Sequence, residues 1–210
     1  AFKAGQIQLT GVPASHWEEF NTQFPYKDNL LHVVTFSTYW YELNCEKWPM
    51  NNVLIRQAVA CAMKRERVDE TVFKGRHIPA HGCLPPGLIG YSQELYDDYE
   101  FTYNPKKAKA LLDQAGAIDT DGDGIREYQG KPLEFEISNY VSDTWREGAK
   151  TFRANLRDVG IKARYQEYDF DTILDITESG NFVMLGPLAW IMDYSDPENF
   201  FLLWETEEET

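Results

Sequence analysis

The sequence predicts an α/β fold, a central mixed sheet flanked by helices, and three observations carry that prediction. Segments of strand period and helix period alternate along most of the chain, the order expected of a helix-covered, mostly parallel or mixed sheet. With 210 residues and 43% hydrophobic content the chain is long enough to bury one sizeable core. Aromatic residues make up 14%, whereas disordered chains are poor in them, so the surplus packs a core or lines a recognition surface.

Taken in order, residues Phe2 to Val12 read as a short strand entering a turn at Val12-Pro13, and Ser15 as the cap of a brief helix through Phe20. The stretch from Leu31 to Asn44 alternates at strand period, with Phe36, Thr38, Trp40 and Glu42 on one face and Ser37, Tyr39, Tyr41 and Leu43 on the other. Trp40 and Glu42 therefore share a face. Asn51 or Asn52 caps a helix whose apolar stripe is Val53, Ile55, Ala58, Val59, Ala62 and Met63. A second helical set runs from Arg65 to Phe73 and stops at Gly75. Between Ile78 and Tyr91, prolines and glycines at 79, 82, 85, 86, 87 and 90 enforce an irregular crossing loop.

Asn104 then caps a helix with Pro105 at its first position, a body from Lys106 to Ala115 and Gly116 as its terminal cap. After an acidic turn, Leu133 to Ser138 reads as a strand, Thr144 to Val159 as a helix closed by Gly160, and Ile161 to Tyr168 as the next strand. Asp169 or Asp171 caps a helix to Glu178, Gly180 ends it, and Phe182 to Leu188 reads as a buried strand.

A net charge of −14 excludes a nucleic-acid partner, because phosphate binding needs a basic stripe that releases counterions. No apolar run reaches the roughly 20 residues of a membrane helix. The chain opens on Ala1-Phe2-Lys3 without an initiator Met and closes on an apolar run, Phe200 to Trp204, ahead of an acidic tail. It is read as a piece of a longer protein.

Several clusters invite chemistry. Asp119, Asp121 and Asp123 alternate ahead of Gly124, with Glu127 at the ninth position, like the first half of a calcium loop. The twelfth position is Gly130, not the usual bidentate Glu. A possible structural calcium and a solvated Asx-rich turn both stay open, and no other cofactor is expected. His77 and His81, with Cys83 nearby, suggest a metal site, but Pro79 between them forbids a shared helical face. Cys61 lies on an apolar helix face, while Cys45 and Cys83 are open to pairing or to remaining free. No G-x-S-x-G, H-E-x-x-H or phosphate-binding glycine loop occurs, so no catalytic residue is assigned. Near the end, Trp190 stands three residues before Asp193 in a segment with Gly186, Pro187 and Asp196-Pro197. The residues alone leave core and pocket equally open for it.

Taken together, these stretches resemble family 5 of the extracellular solute-binding proteins, the oligopeptide, dipeptide and nickel receptors of ABC importers. The matching residues are Ala1 to Ile7, Tyr39 to Asn44, Val53 to Val59, Pro85 to Gly87, Asn104 to Gly116, Asp121 to Glu127, and Trp190 through Asp193 to Phe200, in family order. The resemblance implies a lobe of the type II periplasmic-binding-protein fold, with residues 1–30 a connector from the other lobe and 31–210 the C-terminal ligand-binding lobe. It further implies no enzyme but a monomeric receptor, periplasmic or extracellular, with a lipid anchor as one option. Such a receptor captures a peptide or another amine-bearing solute between this lobe and the missing N-terminal lobe, for delivery to a membrane permease.

In peptide-binding members an aspartate after this tryptophan pairs with the peptide's α-ammonium, and Asp193 occupies that position. Trp190, Trp40, Glu42 and Tyr168 match pocket-lining positions, and Met192 is taken with them. The Arg and His residues that hold a peptide's carboxylate in some members have no clear counterpart in residues 139–145 or 177–186. Nickel is not expected, since nickel-type members lack this aspartate. An oligosaccharide ligand is the alternative, and a hydrolase with paired carboxylates a more distant one.

Overall fold

A helix leaves its first amide groups without partners, so the sequence must supply acceptors where each helix begins. A computed structural model of the chain describes residues 1–98 and 101–204. Its elements are α1 (Trp17–Thr22), β1 (Ser37–Leu43), α2 (Val53–Ala62), α3 (Arg65–Val68), α4 (Gln93–Asp97), α5 (Pro105–Gln114), β2 (Glu127–Tyr128) and β3 (Lys131–Pro132). They continue with β4 (Glu134–Tyr140), α6 (Asp143–Asp158), β5 (Lys162–Tyr168), α7 (Phe170–Ser179), β6 (Met184–Ile191) and α8 (Glu198–Phe201). The side chains of Asn52, Asn104, Ser142 and Asp169 accept backbone N–H bonds at the starts of α2, α5, α6 and α7.

The four long strands form one mixed sheet in the order β1-β6-β4-β5. Strand β4 runs parallel to β5 and β6, and β1 runs antiparallel to β6. From β4 to β5 the chain steps outward through α6; from β5 to β6 it steps back across β4 through α7. Right-handed crossovers in opposite directions place these helices on opposite faces of the sheet. Contacts agree: α6 packs on β5 and α2, whereas α7 packs on β4 and buries Ile173.

The core lies on the α6 side. There Phe135 and Ile137 of β4, Ala163 of β5 and Met184 of β6 meet Ile55, Ala58, Val59 and Ala62 of α2 and Phe152 and Leu156 of α6. Leu111 and Leu112 of α5 close it from beyond α2. Large aliphatic side chains stabilise the fold by about 1.5–3 kcal/mol each when fully buried, far more than the few tenths that separate helix propensities. Packing, not local preference, therefore holds these helices in place.

Four sequence expectations are corrected. Ser15 does not cap α1, which begins at Trp17 after a 3₁₀ turn and has no side-chain cap bond. Residues 6–12 form no strand, and Phe2–Ala4 is a 3₁₀ turn with Leu9 exposed. The strand expected from Leu31 starts only at Ser37, leaving Leu31, Val33 and Val34 exposed. The second segment alternates suitably but lacks a strand neighbour: Ser37 pairs with Ile191, the last residue of β6. The helix expected over Arg65 to Phe73 changes at Asp69 into a wider π turn that Lys74, at φ 60°, terminates ahead of Gly75. Short elements missed by periodicity are α4, α8 and the β2–β3 hairpin.

Candidate functional site

In β1, alternation puts Trp40 and Glu42 on the face away from Tyr41, whose ring packs on Phe152 of α6. The β1–β6 register sets Glu42 opposite Leu185, Trp40 opposite Leu188 and Thr38 opposite Trp190. Trp40, Glu42 and Trp190 thus lie on one face of this strand pair. That alignment depends on an irregularity between Trp40 and Glu42, where Tyr41 alone faces Gly186 and Pro187. The indole of Trp40 meets Trp204 edge-on at 5.4 Å.

Beyond β6, successive amides are held from two sides. Met192 N donates to Phe36 O at 2.9 Å, and Asp193 N donates to Asn199 Oδ1 at 3.1 Å. The same oxygen accepts Trp190 Nε1–H at 2.9 Å. Met192 is half-buried and Asp193 exposed. Tyr168 lies on β5, three strands from β1; at about 4.8 Å per strand it is some 14 Å from Trp40 across the sheet. Its hydroxyl donates to Glu136 Oε1 at 2.9 Å, an oxygen that also accepts from Ser138 Oγ at 3.1 Å. Burial, and then this bond to a carboxylate, raise the Tyr168 phenol above its usual range. The structure therefore brings Trp190, Asp193 and Met192 together, sets Trp40 and Glu42 along the same face, and separates Tyr168 from them.

At this site the carboxylates of Asp193 and Glu42 stand without partners among the described residues. Glu42 is half-buried, and burial raises its pKa above the ordinary carboxylate range. Its proton is then bound more tightly in the folded than in the unfolded chain. Folding stability falls as pH rises from the unfolded value, about 4.3, through the raised folded value, and does not return above it. Glu42→Gln is expected to be more stable than the parent at pH 7, with the gap closing towards pH 4 in denaturant midpoints. Parallel midpoint curves would show that burial of Glu42 carries no cost.

The carboxyl ends of β4, β5 and β6 point to one edge of the sheet, and α6 and α7 leave the neighbouring strands β4 and β5 towards opposite faces. Ligands of open α/β sheets bind outside such an edge, where the connections diverge. Here the edge carries an apolar rim: Val141, Phe170 and Ile191, each just past or at a strand end, are 63%, 63% and 60% exposed, and Tyr39 and Tyr194 add to it. Sequence reasoning gave these residues no role at the site, and none to Asn199 or Glu136. Arg146, at the start of α6, is already held by Glu167 (Nη2 to Oε2, 2.7 Å) and Asp143 (Nη1 to Oδ1, 2.6 Å). In turn Arg146 keeps Glu167 below the usual carboxylate range.

The other candidates resolve by position. Ligand oxygens of Asp119, Asp121, Asp123 and Glu127 lie within 4.8 Å of one another, the only such group of three or more potential ligands among the described residues. All four also accept bonds within the turn: Asp119 from Gly122 N and Gly124 N, Asp121 from Asp123 N, Asp123 from Ile125 N, and Glu127 from Thr120 N and Oγ1. His77, His81 and Cys83 are not brought together; His77 packs on Phe73 and lies 3.8 Å from Asp69. Cys83 O accepts from Thr38 at the start of β1, while Cys45 lies past its other end, so the two cannot pair and all three cysteines are free.

Residues 1–210 match the bacterial extracellular solute-binding proteins, family 5, in their middle region. The chain belongs to this family. It is 29% identical to the dipeptide-binding protein of Escherichia coli over 175 residues, covering 82% of this chain and 30% of that protein. Among solved structures it resembles the oligopeptide-binding protein AppA of Bacillus subtilis in complex with a nonapeptide, with TM-score 0.74, 26% identity, and 91% and 38% of the two chains covered. A mannohexaose-bound periplasmic oligopeptide-binding protein of Thermotoga maritima gives TM-score 0.67 at 26% identity, over 79% of this chain and 31% of that one. The chain spans about a third of the length of the curated family 5 relatives it matches. Its mixed sheet flanked by helices is the lobe architecture of periplasmic binding proteins, as the resemblance implied.

Proposed function

We propose that this chain is the ligand-binding lobe of a substrate-binding component of an ABC importer, which captures peptides or similar amine-bearing solutes for a membrane permease. One observation carries the reading: Asp193, an unpartnered carboxylate, stands beside Trp190 at an apolar strand-end rim. A carboxylate enclosed with an ammonium forms a strong charge-assisted bond, and apolar walls accept varied side chains. The dipeptide-binding protein of Escherichia coli and the nonapeptide complex of AppA support it. Residues 1–30 serve as the connector and 31–210 as the lobe of a two-lobed monomer that closes on its ligand without covalent chemistry. Residence outside the cytoplasmic membrane, with or without a lipid anchor, fits the relatives, and no helix of the described residues is long and apolar enough to cross a membrane.

Calorimetry of the full-length protein against peptides with free and N-acetylated termini tests this reading. Strong preference for the free amine is expected. Equal binding of both forms would overturn the role of Asp193, and binding of mannohexaose in place of peptides would favour the oligosaccharide reading that the Thermotoga maritima complex supports.

For the acidic turn, the internal hydrogen bonds support a loop that holds its own shape, and the convergence of four carboxylates supports calcium as the second reading. The same melting temperature in calcium and in chelator is expected. A calcium-dependent rise that Asp121→Asn removes would instead assign the ion.

A further inference from the structure

We propose that Asn199 is a positioning residue that aims Asp193 and Trp190 at the ligand; the proposal rests on Asp193 being the ammonium-binding carboxylate. Asn199 is 2% exposed and sits at the start of α8, anchored by the fully buried Phe200 beside it. Its own N–H donates to Asp196 O at 3.1 Å, and Asp196 Oδ1 accepts from Glu198 N at 2.9 Å, so the turn before α8 is fixed from within.

The side chain of Asn199 then reaches back to the end of β6. Its Oδ1 takes two hydrogens, one from Trp190 Nε1 and one from Asp193 N. Both partners are donors only, which fixes the amide with its oxygen towards them. The carboxylate of Asp193 has no partner of its own among the described residues, so its direction follows from the backbone that carries it. That backbone is held at Met192 N by Phe36 O and at Asp193 N by Asn199. Removing the second hold leaves the aspartate on a freer backbone and the indole free to turn, while a buried acceptor shared by both disappears. Asn199 touches no ligand in this scheme and acts through its two neighbours.

The test uses the full-length protein and a pair of peptides, one with a free N-terminus and one acetylated. Asn199→Leu keeps the size of the side chain and removes the acceptor, whereas Asn199→Asp keeps an acceptor in place. Asn199→Leu is expected to weaken the free-amine peptide about tenfold and the acetylated one little, so that discrimination between them shrinks. Asn199→Asp should restore most of that discrimination. A residue with a merely structural role would weaken both peptides in parallel, and that outcome, or unchanged discrimination in Asn199→Leu, overturns the proposal. If the parent protein itself binds both peptides alike, the ammonium reading fails first and takes this proposal with it. Hydrogen exchange in the parent gives an answer even where Asn199→Leu does not fold: the Asp193 amide should be protected although its side chain is exposed, and fast exchange would show that Asn199 does not hold it.

Discussion

On the proposed role of Asp193, Asp193→Asn is expected to lower the affinity of the full-length protein for peptides with a free N-terminus by about 30-fold to several thousand-fold, while acetylated peptides lose little. The range follows from the environment the charge pair occupies. An ion pair left in water is worth at most about 1 kcal/mol, roughly fivefold in affinity. Removing one member of a desolvated, hydrogen-bonded pair costs about 2–5 kcal/mol, because the remaining charge stays buried without a partner. Asp193 is exposed on this lobe. A large loss therefore requires a second surface to close over it, and the size of the effect measures closure as well as contact. Calorimetric titration of parent and variant separates the cases. A loss below about fivefold would place the pair in water and remove Asp193 as the anchor. Asparagine is the right replacement because it keeps shape and one acceptor oxygen while removing the charge and turning the other oxygen into a donor.

The sequence disclosed this site unevenly. Asn52, Asn104 and Asp169 act through bonds two or three residues away, and local pattern finds such partners. Trp190 and Asp193 were visible as residue types, but their joint hold by Asn199 spans a turn whose geometry no periodicity describes. Glu136 alternates outward as Glu134 does, and its bond with Tyr168, four residues beyond its register partner Arg164 on β5, is visible only in the folded chain. Tyr168 itself matched a pocket-lining position by resemblance, yet strand order puts it on the far side of the sheet from Trp40. The rim was hidden for a related reason. Val141 and Phe170 are ordinary apolar residues in a list of letters, and become conspicuous only when the sheet sets them at one exposed edge. Leu31, Val33 and Val34 show the converse error, since alternation cannot reveal that a strand has no neighbour.

The second large effect concerns Gly186, because the placement of Trp190 depends on it. Leu185 faces Glu42 and Leu188 faces Trp40, so β6 uses three steps where β1 uses two. Without that extra residue, period-two alternation from Leu185 would carry Pro187, Ala189 and Ile191 to the face of Trp40 and turn Trp190 to the opposite one. Gly186 makes the irregularity possible at φ 136°, a conformation that side chains strongly disfavour. A Cβ there would lie 2.8 Å from Trp40 O, 3.0 Å from Leu188 N and 3.2 Å from Tyr41 Cα. Trp40 O and Tyr41 Cα are backbone atoms of β1 and Leu188 N is one of β6 itself, so relief requires β1 to move off β6 and β6 to rearrange at the bulge. Strain of this kind costs about 1–3 kcal/mol before any pairing is lost, and separation of an edge strand adds to it. Gly186→Ala is accordingly expected to lose about 3 kcal/mol or more in denaturant unfolding, and any folded fraction should show weakened peptide binding and altered tryptophan fluorescence. A loss under about 1 kcal/mol with binding intact would show that β1 yields freely at this point and that the face shared by Trp40 and Trp190 is not held by the bulge.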